Sequence, residues 1–283
     1  MSEHTNGEGH VASTDGLHLS YRSWLPAKER AVVLIVHGLG EHSGRYEHVA
    51  RHLVGLGYAC YALDYRGHGR SAGLRAHVHR FDEYLGDVAA MRAHLHAAHP
   101  RSPLVLLGHS QGGLIVLLST LTAPAGLAAV VASSPFLGIH PASRPSAALA
   151  VAARFLSRTL PKLRLDSGLN TKFLSRDPEV VAAYEADPLV TSKVSARWFT
   201  ELNAAHARVL ALAPTLTVPA LVMQSGADRL VDPAASRRWA EAAPKGLVEY
   251  VEWEGFYHEM LNEPEKAQVL AHVETWLAAR VGC

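Results

Sequence analysis

The stretch Leu104 to Gly113, Leu-Val-Leu-Leu-Gly-His-Ser-Gln-Gly-Gly, constrains the chain more than any other. Its apolar run has the length of a buried parallel strand. It breaks off at Gly108-His109-Ser110-Gln111-Gly112, where glycines let the backbone turn sharply and start a helix on the far side. Leu114, Ile115, Val116, Leu117 and Leu118 then suit a helix pressed onto a sheet. Strand, sharp turn and buried helix in this order make a nucleophile elbow, which lifts the Ser110 hydroxyl out of the sheet. A glycine-rich turn without chemical meaning is the alternative, and the flanking strand and helix argue against it. A serine hydroxyl is a poor nucleophile at neutral pH. The elbow therefore implies a base that takes its proton and two backbone N–H groups that receive an oxyanion.

The rest of the chain has room for one large core. With 283 residues, 48% of them hydrophobic and 19% charged, a single α/β domain carrying an insertion is the expected size class. A formal net charge of +1 and the lack of any Lys/Arg block give no attraction for nucleic acid. Two cysteines, Cys60 in a strand-like run and Cys283 at the last position, make no disulfide framework and fit a reducing, cytoplasmic setting. Met1 to His10 is polar, without the apolar core of a secretion signal, and no stretch reaches the roughly eighteen apolar residues of a membrane span.

Strand-like and helix-like segments alternate along most of the sequence. Val11 to Trp24 alternates around Asp15-Gly16 as an antiparallel hairpin would. Ala31 to Val36 reads as a strand covered on both faces, ending in the glycine loop His37-Gly38-Leu39-Gly40, at the strand end where open α/β sheets bind ligands. A helix over 44–56, a strand at Tyr58 to Leu63 and a glycine-rich turn at Asp64 to Ser71 follow. A helix over 81–99 then precedes the elbow strand. Beyond a strand at Ala128 to Ser133 the pattern changes. Residues 138–193 show no strand, only helical pieces broken by Pro141, Pro145, Pro161, Pro178 and Pro188, and read as a helical cap over the active-site end of the sheet. Residues 1–137 and 194–283 form the core around it. The cap segment 147–160 carries Leu149, Val151, Phe155, Leu156 and Leu160. Such a stripe could receive acyl chains or make transient contact with a membrane, although packing onto the core is its commoner fate.

The partners of Ser110 are expected on loops after the last strands, in the order serine, acid, histidine. Pro219 to Gln224 runs into Ser225-Gly226-Ala227-Asp228, so Asp228 follows a strand end, where its carboxylate can hold an imidazole in one tautomer. Asp232 competes, but beside Pro233 it suits a helix N-cap. His258, after the strand Leu247 to Trp253 and before the final helix, is the candidate base. The oxyanion donors are the backbone N–H groups of Leu39 and Gln111, with their side chains incidental to that role. His109, next to the nucleophile, suits orienting the elbow. His94, His96 and His99 do not converge on one point of a helix and lack carboxylate or cysteine company, so no metal is assigned. Glu41, Arg45 and Tyr46 could bind a polar head group or form an internal ion pair that stiffens the glycine loop.

Five segments together, His37-Gly-Leu-Gly-Glu-His-Ser-Gly-Arg-Tyr46, Asp64-Tyr-Arg-Gly-His-Gly-Arg-Ser71, Gly108-His-Ser-Gln-Gly-Gly113, Ser225-Gly-Ala-Asp-Arg-Leu-Val-Asp232 and Tyr257-His258-Glu259, resemble the monoacylglycerol lipase and lysophospholipase branch of the α/β-hydrolases. The resemblance spans nearly the whole chain, and the first segment is specific to that branch. It implies a mostly parallel eight-stranded sheet with helices on both faces, and a helical cap that guides lipid. It also implies the triad Ser110, Asp228 and His258, and cleavage of monoacylglycerol or a related single-chain ester. Gln111 departs from the resemblance, since many members have Met after the nucleophile, and the cap is the part that matches least.

The expected reaction is ester cleavage through an acyl-enzyme on Ser110, with no cofactor and a small lipid ester as substrate. Lysophospholipid or broader carboxylester cleavage is the near alternative. A serine at the elbow argues against dehalogenase or epoxide hydrolase chemistry, which on family resemblance starts from Asp, while peptidase, thioesterase and perhydrolase activities use the same triad. A binding protein that only holds a hydrophobic ligand is the distant alternative, disfavoured because all three triad positions are filled.

Overall fold

The computed structural model describes residues 5–144 and 146–281. Cys283 lies outside them, while Cys60 is a buried free thiol. A hairpin of β1 (Thr5–Ala12) and β2 (His18–Leu25) opens the chain, followed by β3 (Ala31–Val36), α1 (Glu47–Gly55) and β4 (Tyr58–Leu63). Then come α2 (Asp82–Ala98), β5 (Leu104–His109), α3 (Gln111–Thr122) and β6 (Leu127–Ser133). The segment after β6 holds α4 (Ala147–Thr159), β7 (Arg164–Asp166), α5 (Pro178–Ala186) and β8 (Lys193–Ser195). The chain closes with α6 (Ala196–Leu212), β9 (Ala220–Ser225), α7 (Pro233–Ala242), β10 (Val248–Trp253) and α8 (Lys266–Val281).

Eight strands form one sheet in the order β1-β2-β4-β3-β5-β6-β9-β10. Only the β1–β2 and β2–β4 pairings are antiparallel; the others are parallel. Every residue of β3, β4, β5 and β9 is buried, which explains why these strands read as unbroken apolar runs. Their side chains alternate between two cores. Val32, Leu34 and Val36 join one layer with α2, α3, α6 and α7, while Val33 and Ile35 join the opposite layer with α1 and α8.

One expectation for residues 138–193 fails. Residues 164–166 pair antiparallel with 193–195, a two-stranded ribbon where the sequence suggested helical pieces alone. Three-residue strands are too short to show alternation, and this pair is defined by a partner almost thirty positions away. Among the described residues, no helix is long and apolar enough to cross a membrane.

The elbow packs backbone directly against backbone. A Cβ on Gly112 would lie 2.0 Å from the Val36 carbonyl oxygen, and one on Gly108 would lie 2.3 Å from that of Gly112. Only glycine lets α3 approach β3 and β5 so closely. Between them Ser110 takes φ +52° and ψ −118°, a conformation that costs an L residue about 1–3 kcal/mol. Its N–H donates to the Ser133 carbonyl (3.0 Å), and its own carbonyl accepts from Phe136 (2.9 Å) and Leu114 (3.1 Å).

Candidate active site

Ser110, at the head of α3, is buried but borders a cavity of about 560 Å³. His109 braces the turn, because its Nδ1 pairs with the Ser133 carbonyl at 3.1 Å, the same oxygen that accepts the Ser110 N–H. A carbonyl can only accept, so this Nδ1 carries the proton. Burial, and then the nearby His258, pushes the His109 pKa down to about 4, leaving the ring neutral at physiological pH. His109 therefore serves the shape of the elbow, as its position suggests.

The loop after β9 carries Asp228 and the loop after β10 carries His258. Asp228 Oδ1 accepts the backbone N–H groups of Leu230 (2.9 Å) and Val231 (3.0 Å), which aims Oδ2 at His258 Nδ1, 2.7 Å away. Behind it, Gln224 Nε2 donates to the same Oδ2 at 3.3 Å, with its own Oε1 held by the Ser236 hydroxyl. Bonded to a carboxylate, His258 Nδ1 keeps its proton, so Nε2 is the nitrogen free to accept one. Burial disfavours the imidazolium, yet the Asp228 charge and hydrogen bond outweigh it and raise the His258 pKa above its ordinary 6.5. Asp232 instead caps α7, accepting the Ala234 N–H at 3.1 Å.

The Leu39 and Gln111 N–H groups have no protein acceptor among the described residues. Leu39, Ser110 and His258 all line the one cavity. Beside them the two readings of Glu41, Arg45 and Tyr46 resolve in favour of an internal network. Glu41 accepts the Gly38 N–H (2.5 Å), the Tyr46 hydroxyl (2.7 Å) and Arg45 Nη1 (2.5 Å). Arg45 in turn grips both oxygens of Glu259 at 2.7 Å. Burial works against the Glu41 carboxylate, but Arg45 and the neighbouring histidines and Tyr46 hold its pKa down to about 2. Since Glu259 follows His258, one arginine joins the glycine loop to the histidine loop. The Asp64 turn is tied in as well, with its carboxylate accepting the N–H groups of Ser43 (2.7 Å) and Arg70 (2.9 Å).

The remaining cavity wall is largely apolar, built by Phe136, Ile139, Leu149, Trp198, Phe199 and Leu202 among others. The chain and its fold have counterparts among known proteins. A family model described as serine aminopeptidase, S33, matches residues 27–265. The chain belongs to this family. Within its α/β-hydrolase fold, a monoacylglycerol lipase of Mycolicibacterium smegmatis is 36% identical over 99% of this chain and 100% of its own length. A human monoglyceride lipase is 35% identical over 96% of this chain and 90% of its own. The crystal structure of a Paleococcus ferrophilus monoacylglycerol lipase superposes with a TM-score of 0.83 at 32% identity, covering 98% of this chain and 99% of that one.

Three features escaped sequence reasoning. Glu259 has no role legible from its place beside His258, because its partner Arg45 lies more than two hundred positions away. The Gln111 side chain, incidental to the oxyanion-donor role in the sequence reading, is fully buried and hydrogen-bonded at both ends. Two of the three clustered histidines have structural partners, His94 with Tyr21 (3.1 Å) and His99 with Tyr61 (2.8 Å) and Glu29 (2.7 Å).

The network carries a stability prediction. Arg45→Met strands the buried Glu41 carboxylate and is expected to cost about 3–5 kcal/mol at neutral pH, read from urea unfolding. Glu41 has a folded pKa below its ordinary 4.5, so its contribution is present above that value and lost as pH falls toward about 2. The gap between wild type and variant should therefore close through that acid window. A gap that is constant with pH would show that Glu41 is not the group involved.

Proposed function

We propose that the protein is a serine ester hydrolase that cleaves monoacylglycerol to glycerol and free fatty acid. In this reading Ser110 is the nucleophile, His258 the general base, and Asp228 the group that fixes His258. The Leu39 and Gln111 N–H groups form the oxyanion hole. The observation that carries it is the 2.7 Å Asp228–His258 bond, with His258 and the elbow serine Ser110 both lining one apolar-walled cavity.

The steps follow from that arrangement. Ser110 Oγ adds to the ester carbonyl as its proton passes to His258 Nε2, and the carbonyl oxygen becomes an oxyanion facing the two N–H groups. Collapse breaks the bond to the glycerol oxygen, which takes the proton from His258 and departs. Water then adds to the acyl-Ser110 ester with His258 again accepting the proton. A second collapse frees the fatty acid and returns the proton to Ser110. The names of the relatives at 35–36% identity support the glyceride as substrate.

The same proposal assigns 138–193 to a cap over the core formed by 1–137 and 194–283. The helix α4 supports a docking role for that cap. Leu149, Val151 and Phe155 are 57%, 62% and 65% exposed, too much apolar surface for packing on this chain alone. Arg154 and Arg158 on the same helix suit an anionic lipid interface.

A fluorophosphonate probe should label wild-type protein and not Ser110→Ala, while unlabelled but folded wild type would favour a ligand-binding protein. In a panel of monoacylglycerols, lysophospholipids, triacylglycerols, short p-nitrophenyl esters and an aminoacyl p-nitroanilide, the monoacylglycerol should turn over with the highest kcat/KM. Preference for the lysophospholipid or the anilide would replace the glyceride reading. Because the neutral His258 is the base and its pKa is raised, kcat/KM should climb with pH through a midpoint above 6.5. Asp228→Asn should lower both that midpoint and the rate, the latter by about 10⁴-fold. Finally, Phe155→Ser should slow hydrolysis of monoacylglycerol presented in anionic vesicles while sparing a soluble short ester. Equal effects on both would sink the docking role.

A further inference from the structure

Beneath the glycine loop lies a buried chain of hydrogen bonds that runs in one direction. Trp198 Nε1 donates to Gln111 Oε1 at 2.7 Å, Gln111 Nε2 donates to the Tyr65 oxygen at 3.1 Å, and the Tyr65 hydroxyl donates to the Gly38 carbonyl at 2.7 Å. The direction is forced. An indole nitrogen can only donate, so it must meet the amide oxygen, which turns the amide NH₂ toward Tyr65 and leaves the tyrosine hydroxyl proton for Gly38. Gln111, Tyr65 and His37 are completely buried, and Trp198 nearly so, which leaves water little share in the arrangement. His37 stacks on Tyr65 at 4.1 Å and brings its Nδ1 to the Gly38 carbonyl at 2.7 Å.

The Gly38 carbonyl belongs to the same peptide unit as the Leu39 N–H. In a trans peptide the two point in opposite directions, so holding the oxygen fixes the aim of the hydrogen. We propose that the Tyr65 hydroxyl, held in place by the Gln111 carboxamide, is a positioning group that keeps the Leu39 N–H pointed at the substrate's carbonyl oxygen. This rests on the assignment of Leu39 and Gln111 as oxyanion donors. Gln111 then acts twice, once through its backbone and once through its side chain. The chain starts at Trp198 in α6, which also lines the acyl-facing cavity, so the wall that meets the substrate's tail is bonded through to the loop that meets its carbonyl.

The test compares wild type, Tyr65→Phe and Gln111→Met with a soluble p-nitrophenyl ester. It also measures inhibition by an alkyl trifluoromethyl ketone, which adds Ser110 to give an oxyanion adduct, and by the matching secondary alcohol, which cannot. Tyr65→Phe should lower kcat about tenfold with KM little changed, and weaken the ketone by the same factor while leaving the alcohol untouched. Gln111→Met should show the same pattern at smaller size, because Tyr65 keeps its bond to Gly38. This second variant also carries the comparison if the first fails to fold. A folded Tyr65→Phe protein with unchanged kcat and ketone affinity would overturn the proposal, as would equal losses for ketone and alcohol, which would mean general damage to the cavity. Wild type that neither turns over the ester nor binds the ketone would instead remove the esterase reading itself.

Discussion

The contact between the backbone of α3 and the carbonyl ends of β3 and β5 is the constraint on which the rest of the molecule hangs. No side chain intervenes at Gly108 or Gly112, and the helix is seated against main-chain oxygens that cannot yield. This puts Ser110 in its unfavourable conformation and holds it there through bonds to Ser133, Phe136 and Leu114. The strain is affordable because strands buried on both faces surround it, each Leu, Ile or Val contributing about 1.5–3 kcal/mol on burial.

Around this rigid centre the functional loops arrive from distant parts of the chain, and buried charge determines how they meet. Arg45 lies between Glu41 and Glu259, so the loop carrying Leu39 and the loop carrying His258 share one cation. Buried charges are costly unless paired, which makes this a specifying interaction: any arrangement that separates the loops leaves carboxylates without a partner. The guanidinium also sits 4.8 Å from the centre of the Tyr184 ring, on α5. The segment after β6 is further joined to the glycine loop by the Thr191 N–H to Gly40 carbonyl bond (2.8 Å) and by His42 with Asp187 (2.8 Å).

The two histidines beside Ser110 show how environment divides similar groups. His109 and His258 have ring centres 4.8 Å apart and both are buried, yet their pKa values move in opposite directions. His109 has a carbonyl for a partner and stays neutral; His258 has the Asp228 carboxylate and holds a proton more readily. The division suits one ring to architecture and the other to the proton transfer proposed for it.

The residues alone determined the alternation of strands and helices, the elbow, and the strand-end positions of Asp228 and His258. These features are local: buried parallel strands announce themselves as apolar runs, and sharp turns as glycines. Asp232 was separable from Asp228 for the same reason, because a cap beside proline is a local property. Tertiary structure alone decided the ribbon between β7 and β8, the pairing of Arg45 with Glu259, and the path from Trp198 through Gln111 and Tyr65 to Gly38. Each depends on the meeting of groups separated by dozens to hundreds of positions, and hydrogen-bond direction and charge pairing at such range leave no periodic trace in the linear order.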